Sequence, residues 1–86
     1  MSKQLERIKP EQLKPFDVNI LKTEHGGYSY TAEVTRSVYD EWNVCVFIIA
    51  GNSRYLEFQR FYKTAKAALK KLKEYWKGDA VEWRLL

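Results

Sequence analysis

The sequence has few of the residues on which catalytic and metal sites are commonly built. It contains one cysteine and one histidine among 86 residues, so an intramolecular disulfide and a cysteine-based metal site are both excluded. The longest apolar run, residues 44–50, is far shorter than the roughly 20 residues that a membrane-spanning helix requires. No Gly-rich phosphate loop and no recognisable nucleophile with its base occur. We therefore expect a protein that is not an enzyme and that holds no metal or cofactor.

The composition is typical of one folded domain. Hydrophobic residues make up 45% of the chain and charged residues 30%, a balance far from that of disordered proteins. A chain of this length has room for a single small core, so we expect residues 1–86 to form one compact domain. The lone cysteine and the lack of a recognisable signal peptide favour the reducing cytoplasm.

Hydrophobic alternation predicts four strands, at residues 16–20, 28–35, 42–50 and 55–59. The third is apolar on both faces and is placed in the interior of the sheet. Glycines in the intervening segments supply the positive φ that tight hairpin turns need. The expected inward side chains are Phe16, Val18 and Ile20 in the first strand, Tyr28, Tyr30, Ala32 and Val34 in the second, and Leu56 and Phe58 in the fourth.

Apolar residues then recur at helical spacing from Phe61 to Trp76, over an arc of roughly 120°. This pattern predicts a long C-terminal amphipathic helix that packs on one face of the sheet and ends at Gly78. A short N-terminal helix is expected after Ser2, and the alternation in residues 81–85 predicts a final short strand or tail. The fold class is therefore α+β, with a three- to four-stranded antiparallel sheet.

Residues 60–77, which include the predicted long helix, carry all the positive excess of the chain. Residues 60–77 hold seven basic residues and one acidic residue, a net charge of +6, whereas the other eight basic and ten acidic residues give −2. At ~3.6 residues per turn, five of the lysines fall within roughly an 80° arc over about 20 Å. These lysines are Lys63, Lys66, Lys70, Lys73 and Lys77.

Two interpretations of these lysines remain open. Lysine is a good helix former whose stem can cover the flank of an apolar face, so the pattern is also that of an ordinary solvated helix. However, solvated helices usually interleave glutamate with lysine, and only Glu74 is present here. The scarcity of acid favours a polyanionic partner, and we expect contact with a nucleic-acid backbone, DNA or RNA. Arg36, Arg54 and Arg60 are secondary candidates for the same role.

The run KTAKAA at residues 63–68, followed by KL at 71–72, resembles the start of the last helix in double-stranded-RNA-binding domains. Such domains run helix, three antiparallel strands, helix, which is similar to the order predicted above. The resemblance implies that Lys63 and Lys66 contact phosphates and that His25, in the loop between the first two strands, reaches the minor groove. The arm-binding domains of phage integrases look similar too, and they read DNA with the face of their sheet.

The second face of the sheet leads to an alternative function. If neither the N-terminal helix nor the Trp83 segment covers Phe47, Ile49 and Tyr55, an apolar patch results, suited to a protein partner or to base stacking. A compact, aromatic-rich chain without site chemistry also fits a phage or mobile-element inhibitor of the anti-defence type, such as an anti-CRISPR, that docks on another protein. Its candidate anchors are Tyr28, Tyr30, Tyr39, Trp42 and Tyr55.

Overall fold

The computed structural model describes residues 8–76 and 81–86. Among these residues, one five-stranded antiparallel sheet and one α-helix form the fold, which confirms the α+β class. The strand order is β4-β3-β2-β1-β5, and α1 lies between β4 and β5 in the chain. The strands are β1 (Asn19–His25), β2 (Tyr28–Arg36), β3 (Trp42–Ala50), β4 (Ser53–Tyr62) and β5 (Arg84–Leu85), and the helix is α1 (Ala65–Lys73).

The core lies on one face of the sheet only. Alternate residues of β1, β2 and β3 point to that face, and α1 packs over them, so the helix and three strands share a single apolar layer. A 3₁₀ turn at Pro10–Gln12 and the residues around Trp83 contact the same layer. Its buried residues are Leu13, Leu21, Tyr30, Ala32, Val34, Val44, Val46, Ala68, Leu69, Leu72 and Trp83.

Two predictions about element size were wrong. The sheet has five strands instead of three or four, because residues 84–85 pair with β1 and extend it. The helix is nine residues long, ending at Lys73 with Glu74 as its C-cap. It stops there because the two aromatic residues that follow turn onto the sheet: Tyr75 donates a hydrogen bond to Glu57 (2.8 Å) and Trp76 packs on Tyr30. The expected N-terminal helix and the Gly78 cap fall in residues 1–7 and 77–80, outside the described part of the chain.

The bounds and the inward face of the first strand were also predicted wrongly: β1 spans Asn19–His25 instead of residues 16–20. Phe16, Val18 and Ile20 are exposed, whereas Asn19 and Leu21 point into the core. Asn19 takes an inward position because its side chain satisfies backbone groups of the preceding turn and of β2. The inward position of Asn19 exchanges the inward and outward faces of the whole strand relative to the prediction, since a shift of one residue moves every side chain to the other face.

A β-bulge changes the faces of β4. Phe58 pairs with Val46 and faces the core, but Leu56 pairs with Phe47, so Glu57 is the extra residue between them. Leu56 therefore lies on the other face of the sheet and is 55% exposed, contrary to its predicted inward position. The predicted faces of β2 and the bounds of β3 are confirmed.

Candidate functional site

The outer surface of α1 carries a row of lysines that we call the lysine stripe: Lys63, Lys66, Lys70 and Lys73. The helix begins after Thr64, whose hydroxyl accepts a hydrogen bond from the Ala67 backbone N–H (3.0 Å). Because Ala68, Leu69 and Leu72 are buried, the three stripe lysines within the helix are held outward, within an arc of roughly 60°. Lys63 lies just before the cap, and all four side chains are exposed.

Among the described residues, no carboxylate lies within 4.0 Å of any of these four ammonium groups; the ion pairs of that part of the chain join Arg36 with Asp40 and Arg54 with Glu33. The first turn of α1 contains no acidic residue, and Lys70 and Lys73 occupy its last turn, where the negative end of the helix dipole favours cations. Within the described residues, the stripe lysines therefore have no ion-pair partner. The fifth predicted lysine, Lys77, lies outside the described residues.

Lys71 does not belong to the stripe. At 100° per residue it lies on the opposite flank of the buried helix face from Lys70 and Lys73. Its ammonium group sits 5.3 Å from the centre of the Phe58 ring, a cation–π contact that fastens the helix to β4. Lys71, one of the six described basic residues within residues 60–77, thus has a structural role.

Of the three arginines named as secondary candidates, Arg36 and Arg60 lie on the helix side of the sheet and Arg54 lies on the other side. Arg60 is exposed on β4, opposite Val44. Arg36, the last residue of β2, donates to Asp40 of the following loop at 2.7 Å. Arg54 donates to Glu33 at 2.6 Å and stacks over Phe47. The sheet therefore separates Arg54 from the stripe.

His25 lies at the opposite end of the sheet from the start of α1. Its ring stacks on Trp76 with 4.2 Å between ring centroids and an interplanar angle of 12°. His25 pairs with Tyr28, at the beginning of β2. Tyr62, just before Lys63, pairs with Trp42, and Trp42 pairs with Arg36 at the end of β2. The eight-residue step along β2 from position 28 to position 36 corresponds to about 26 Å. The resemblance therefore assigns nucleic-acid contacts to residues at both ends of the sheet.

The five aromatic interface candidates do not form one surface. Tyr28 and Tyr55 are exposed near the His25 end, whereas Tyr39 is 82% exposed at the other end. Trp42 is half-buried between Arg36 and Tyr62 in the register of the sheet. Tyr30 lies in the core, where its ring packs edge-on against Trp76.

The face of the sheet away from α1, which we call the open face, is not covered by the described segments that were expected to cover it. Leu13 of the N-terminal segment and Trp83 are both buried on the helix side. Phe47 and Ile49 consequently remain half-buried at the surface, and the exposed side chain of Leu56 lies opposite Phe47. Exposed Phe61 lies further along β4, opposite Asn43. Tyr55, which was predicted on this face, pairs with Ile48 and lies on the helix side.

Cys45 also lies on the open face, where Asn43 donates a hydrogen bond to its sulfur at 3.4 Å. Burial raises the pKa of the Cys45 thiol above its usual value, and this outweighs the opposing effect of the Asn43 hydrogen bond. A thiol with a raised pKa is a weak nucleophile at neutral pH. In the described residues, His, Cys, Asp and Glu side chains form no group of three or more that could hold a metal ion.

No described helix combines the length and the apolar character needed to cross a membrane. Comparisons with models of protein families, with curated proteins and with solved structures gave no match for this chain.

Proposed function

We propose that this chain is a small, non-enzymatic, cytoplasmic module that binds the backbone of nucleic acid through the lysine stripe. The observation that supports the proposal is the exposure of four lysines in a row, with no described carboxylate within 4.0 Å of them. Lysines at this spacing repel one another, and a line of phosphates relieves that repulsion.

The geometry favours recognition of charge and shape over base sequence. Lysine is a point charge that holds a phosphate without the fixed fork with which arginine reads a base edge. Contacts to phosphate position a protein on nucleic acid but carry no sequence information directly. We therefore expect similar affinities for unrelated sequences of one nucleic-acid type. The resemblance of residues 63–72 to double-stranded-RNA-binding domains makes duplex RNA the first ligand to test.

The decisive experiment compares two charge reversals of equal size. Lys66→Glu/Lys70→Glu inverts the middle of the stripe, whereas Lys22→Glu/Arg84→Glu makes the same charge change on a register pair of the open face. The two sites are separated by the sheet and the helix, a distance greater than the Debye length of ~8 Å at physiological salt. Binding to duplex RNA, duplex DNA and single strands is measured by fluorescence anisotropy.

We expect the stripe variant to lose binding and the open-face variant to keep an affinity within about threefold of wild type, because exposed charges beyond a Debye length are largely screened. Retained binding in the stripe variant, or equal losses in both variants, would remove the lysine stripe as the site.

The open face, which the described residues leave uncovered, supports a second candidate function, a phage or mobile-element inhibitor that docks on a nucleic-acid-handling protein. Exposed Leu56 beside half-buried Phe47, with exposed Phe61 further along β4, is typical of a protein-binding surface. Under this alternative, Leu56→Ser/Phe61→Ser abolishes inhibition of the target and Lys66→Glu/Lys70→Glu does not. Failure of the wild-type chain to bind any nucleic acid at low salt would favour this candidate.

A further inference from the structure

The guanidinium group of Arg54 covers the aromatic ring at the centre of the open face. Its Cζ lies 4.1 Å from the centroid of the Phe47 ring, and its Nη1 donates to a Glu33 carboxylate oxygen at 2.6 Å. Arg54 pairs with Ile49 and Glu33 pairs with Cys45, so Phe47 lies between these two positions on β3. The Arg54 side chain therefore crosses β3, over Phe47, to reach β2.

The covered ring belongs to a larger apolar area. Leu56 lies directly opposite Phe47 on β4, and Ile49 follows two residues along β3 on the same face of the sheet. Phe47 and Ile49 are half-buried, and Leu56 is exposed. Removal of the guanidinium group from the ring would join these three side chains into one apolar surface open to water.

The contacts that hold Arg54 over the ring are weak. The Arg54 and Glu33 side chains are 52% and 27% exposed, so water and salt compete for both charges. An exposed ion pair and an exposed cation–π contact each favour the bound arrangement by roughly two- to fivefold. Together they favour the covered form over the uncovered form by on the order of tenfold. The uncovered form is therefore a minor state that remains accessible.

We propose that Arg54 is a reversible cover that controls access to the apolar surface formed by Phe47, Ile49 and Leu56. In the covered form, the ion pair with Glu33 holds the guanidinium group on the Phe47 ring. When that ion pair is broken, Arg54 turns towards solvent and the surface binds apolar ligands. The inference does not rest on nucleic-acid binding by the lysine stripe.

The ion pair of Arg36 with Asp40 provides a matched control. Its length of 2.7 Å is close to that of the Arg54 pair, but the cation–π contacts among the described residues do not include Arg36. Asp40→Asn and Glu33→Gln each replace one carboxylate by the matching amide, so the two variants have the same net charge. Only Glu33→Gln should uncover an apolar surface.

The test observes the cover itself and then its effect on ligand binding. Proton NMR of the full chain, with labelled arginine, gives the chemical shifts of the Arg54 side-chain protons, which the Phe47 ring moves upfield while the guanidinium group lies on it. Nile red, a neutral apolar dye, is titrated with the wild-type chain and with the Glu33→Gln, Arg54→Ala and Asp40→Asn variants. Urea unfolding verifies that every variant is folded.

We expect upfield shifts of the Arg54 protons in the wild-type chain, and smaller shifts in Glu33→Gln and at 1 M salt, where ion pairs are screened. A ligand that binds only the uncovered form gains affinity in proportion to the population of that form. The dye should therefore bind about threefold more tightly to Glu33→Gln, about tenfold more tightly to Arg54→Ala, and within about 1.5-fold of wild type to Asp40→Asn. Addition of Leu56→Ser to Arg54→Ala should remove the gain.

Ordinary shifts of the Arg54 protons in the wild-type chain would overturn the proposal. So would equal dye affinities of the wild-type chain and Arg54→Ala, equal gains in Glu33→Gln and Asp40→Asn, or a gain that survives Leu56→Ser.

Discussion

Replacement of Asn19 by alanine tests whether a buried amide fixes the start of β1. Its side chain is 6% exposed and contacts four backbone groups. Its Oδ1 accepts the Lys14 N–H, and its Nδ2 donates to the carbonyls of Val34 (2.9 Å), Lys14 and Asp17. At about 1 kcal/mol per bond, with water replacing part of the loss on the exposed turn, Asn19→Ala should lower the free energy of unfolding by about 2–3 kcal/mol.

That loss is large for a chain of this size. A domain of this length has a total free energy of unfolding of roughly 4–13 kcal/mol, so Asn19→Ala should lower the melting temperature by about 10–20 °C. Urea unfolding followed by tryptophan fluorescence gives the free energy, and calorimetry gives the midpoint. The matched control is Asn43→Ala. Asn43 is half-buried on the open face, where it accepts a hydrogen bond from Gln59 at 3.2 Å and donates one to the Cys45 sulfur at 3.4 Å. A loss below about 1 kcal/mol for Asn19→Ala, or equal losses for both variants, would refute the reasoning.

Three further substitutions test other contacts, each by urea unfolding. Trp83→Phe should lose about 2–3 kcal/mol, because Trp83 is 5% exposed and its indole N–H donates to the Leu72 carbonyl at 2.9 Å; a loss under 0.5 kcal/mol would argue against this. Burial and the Glu57 hydrogen bond raise the pKa of Tyr75, so the wild-type chain should lose stability as the pH rises above about 10. The Tyr75→Phe variant should lose less stability over the same pH range. Parallel curves of stability against pH for the two proteins would contradict the raised pKa of Tyr75. Phe16→Gly should leave the free energy of unfolding unchanged or raise it by up to about 1 kcal/mol. Glycine relieves the left-handed strain of about 1–2 kcal/mol, and its greater conformational freedom in the unfolded chain offsets part of that gain. A clear loss of stability would show that the Phe16 ring supports the fold.

The strands that could be predicted from sequence are those whose period of two is unbroken. β2 alternates without interruption, so its faces follow from the pattern alone, and the continuous apolar run of β3 gives the bounds of that strand. The faces of β1 could not be predicted, because placing Asn19 inward depends on partners in the preceding turn and in β2. In β4 the alternation is broken at Glu57, and hydropathy does not reveal a bulge.

The lysine stripe is the part of the candidate site that helical spacing predicts best. Exposure of Lys66, Lys70 and Lys73 follows from the burial of the opposite helix face, and the same spacing separates Lys71 from them. The length of the helix could not be predicted, because Tyr75 and Trp76 also continue its apolar pattern. Only the tertiary fold shows that these two rings dock on the sheet instead.

The exposure of Phe16 and Val18 could not be predicted for a related reason. Phe16 and Val18 have the spacing of inward strand residues, and the parity reversal at Asn19 turns them outward. Pro15 is a turn signal that was available in the sequence, but Phe16 is not a residue that favours the positive φ of the next turn position. The hydrogen bonds that fix the φ of Phe16, however, come from a residue three positions further along the chain.

The salt dependence of binding tests the central claim most directly. Four phosphate contacts to a duplex predict a slope of about −3.6 for log K against log salt, or ~150-fold weaker binding at 200 mM than at 50 mM. Lys66→Gln/Lys70→Gln removes two contacts without adding repulsion, so its slope should be about −1.8, a loss of only ~12-fold over the same range. An unchanged slope in this variant, or a wild-type slope near zero, would contradict the claim that the lysine stripe binds phosphates.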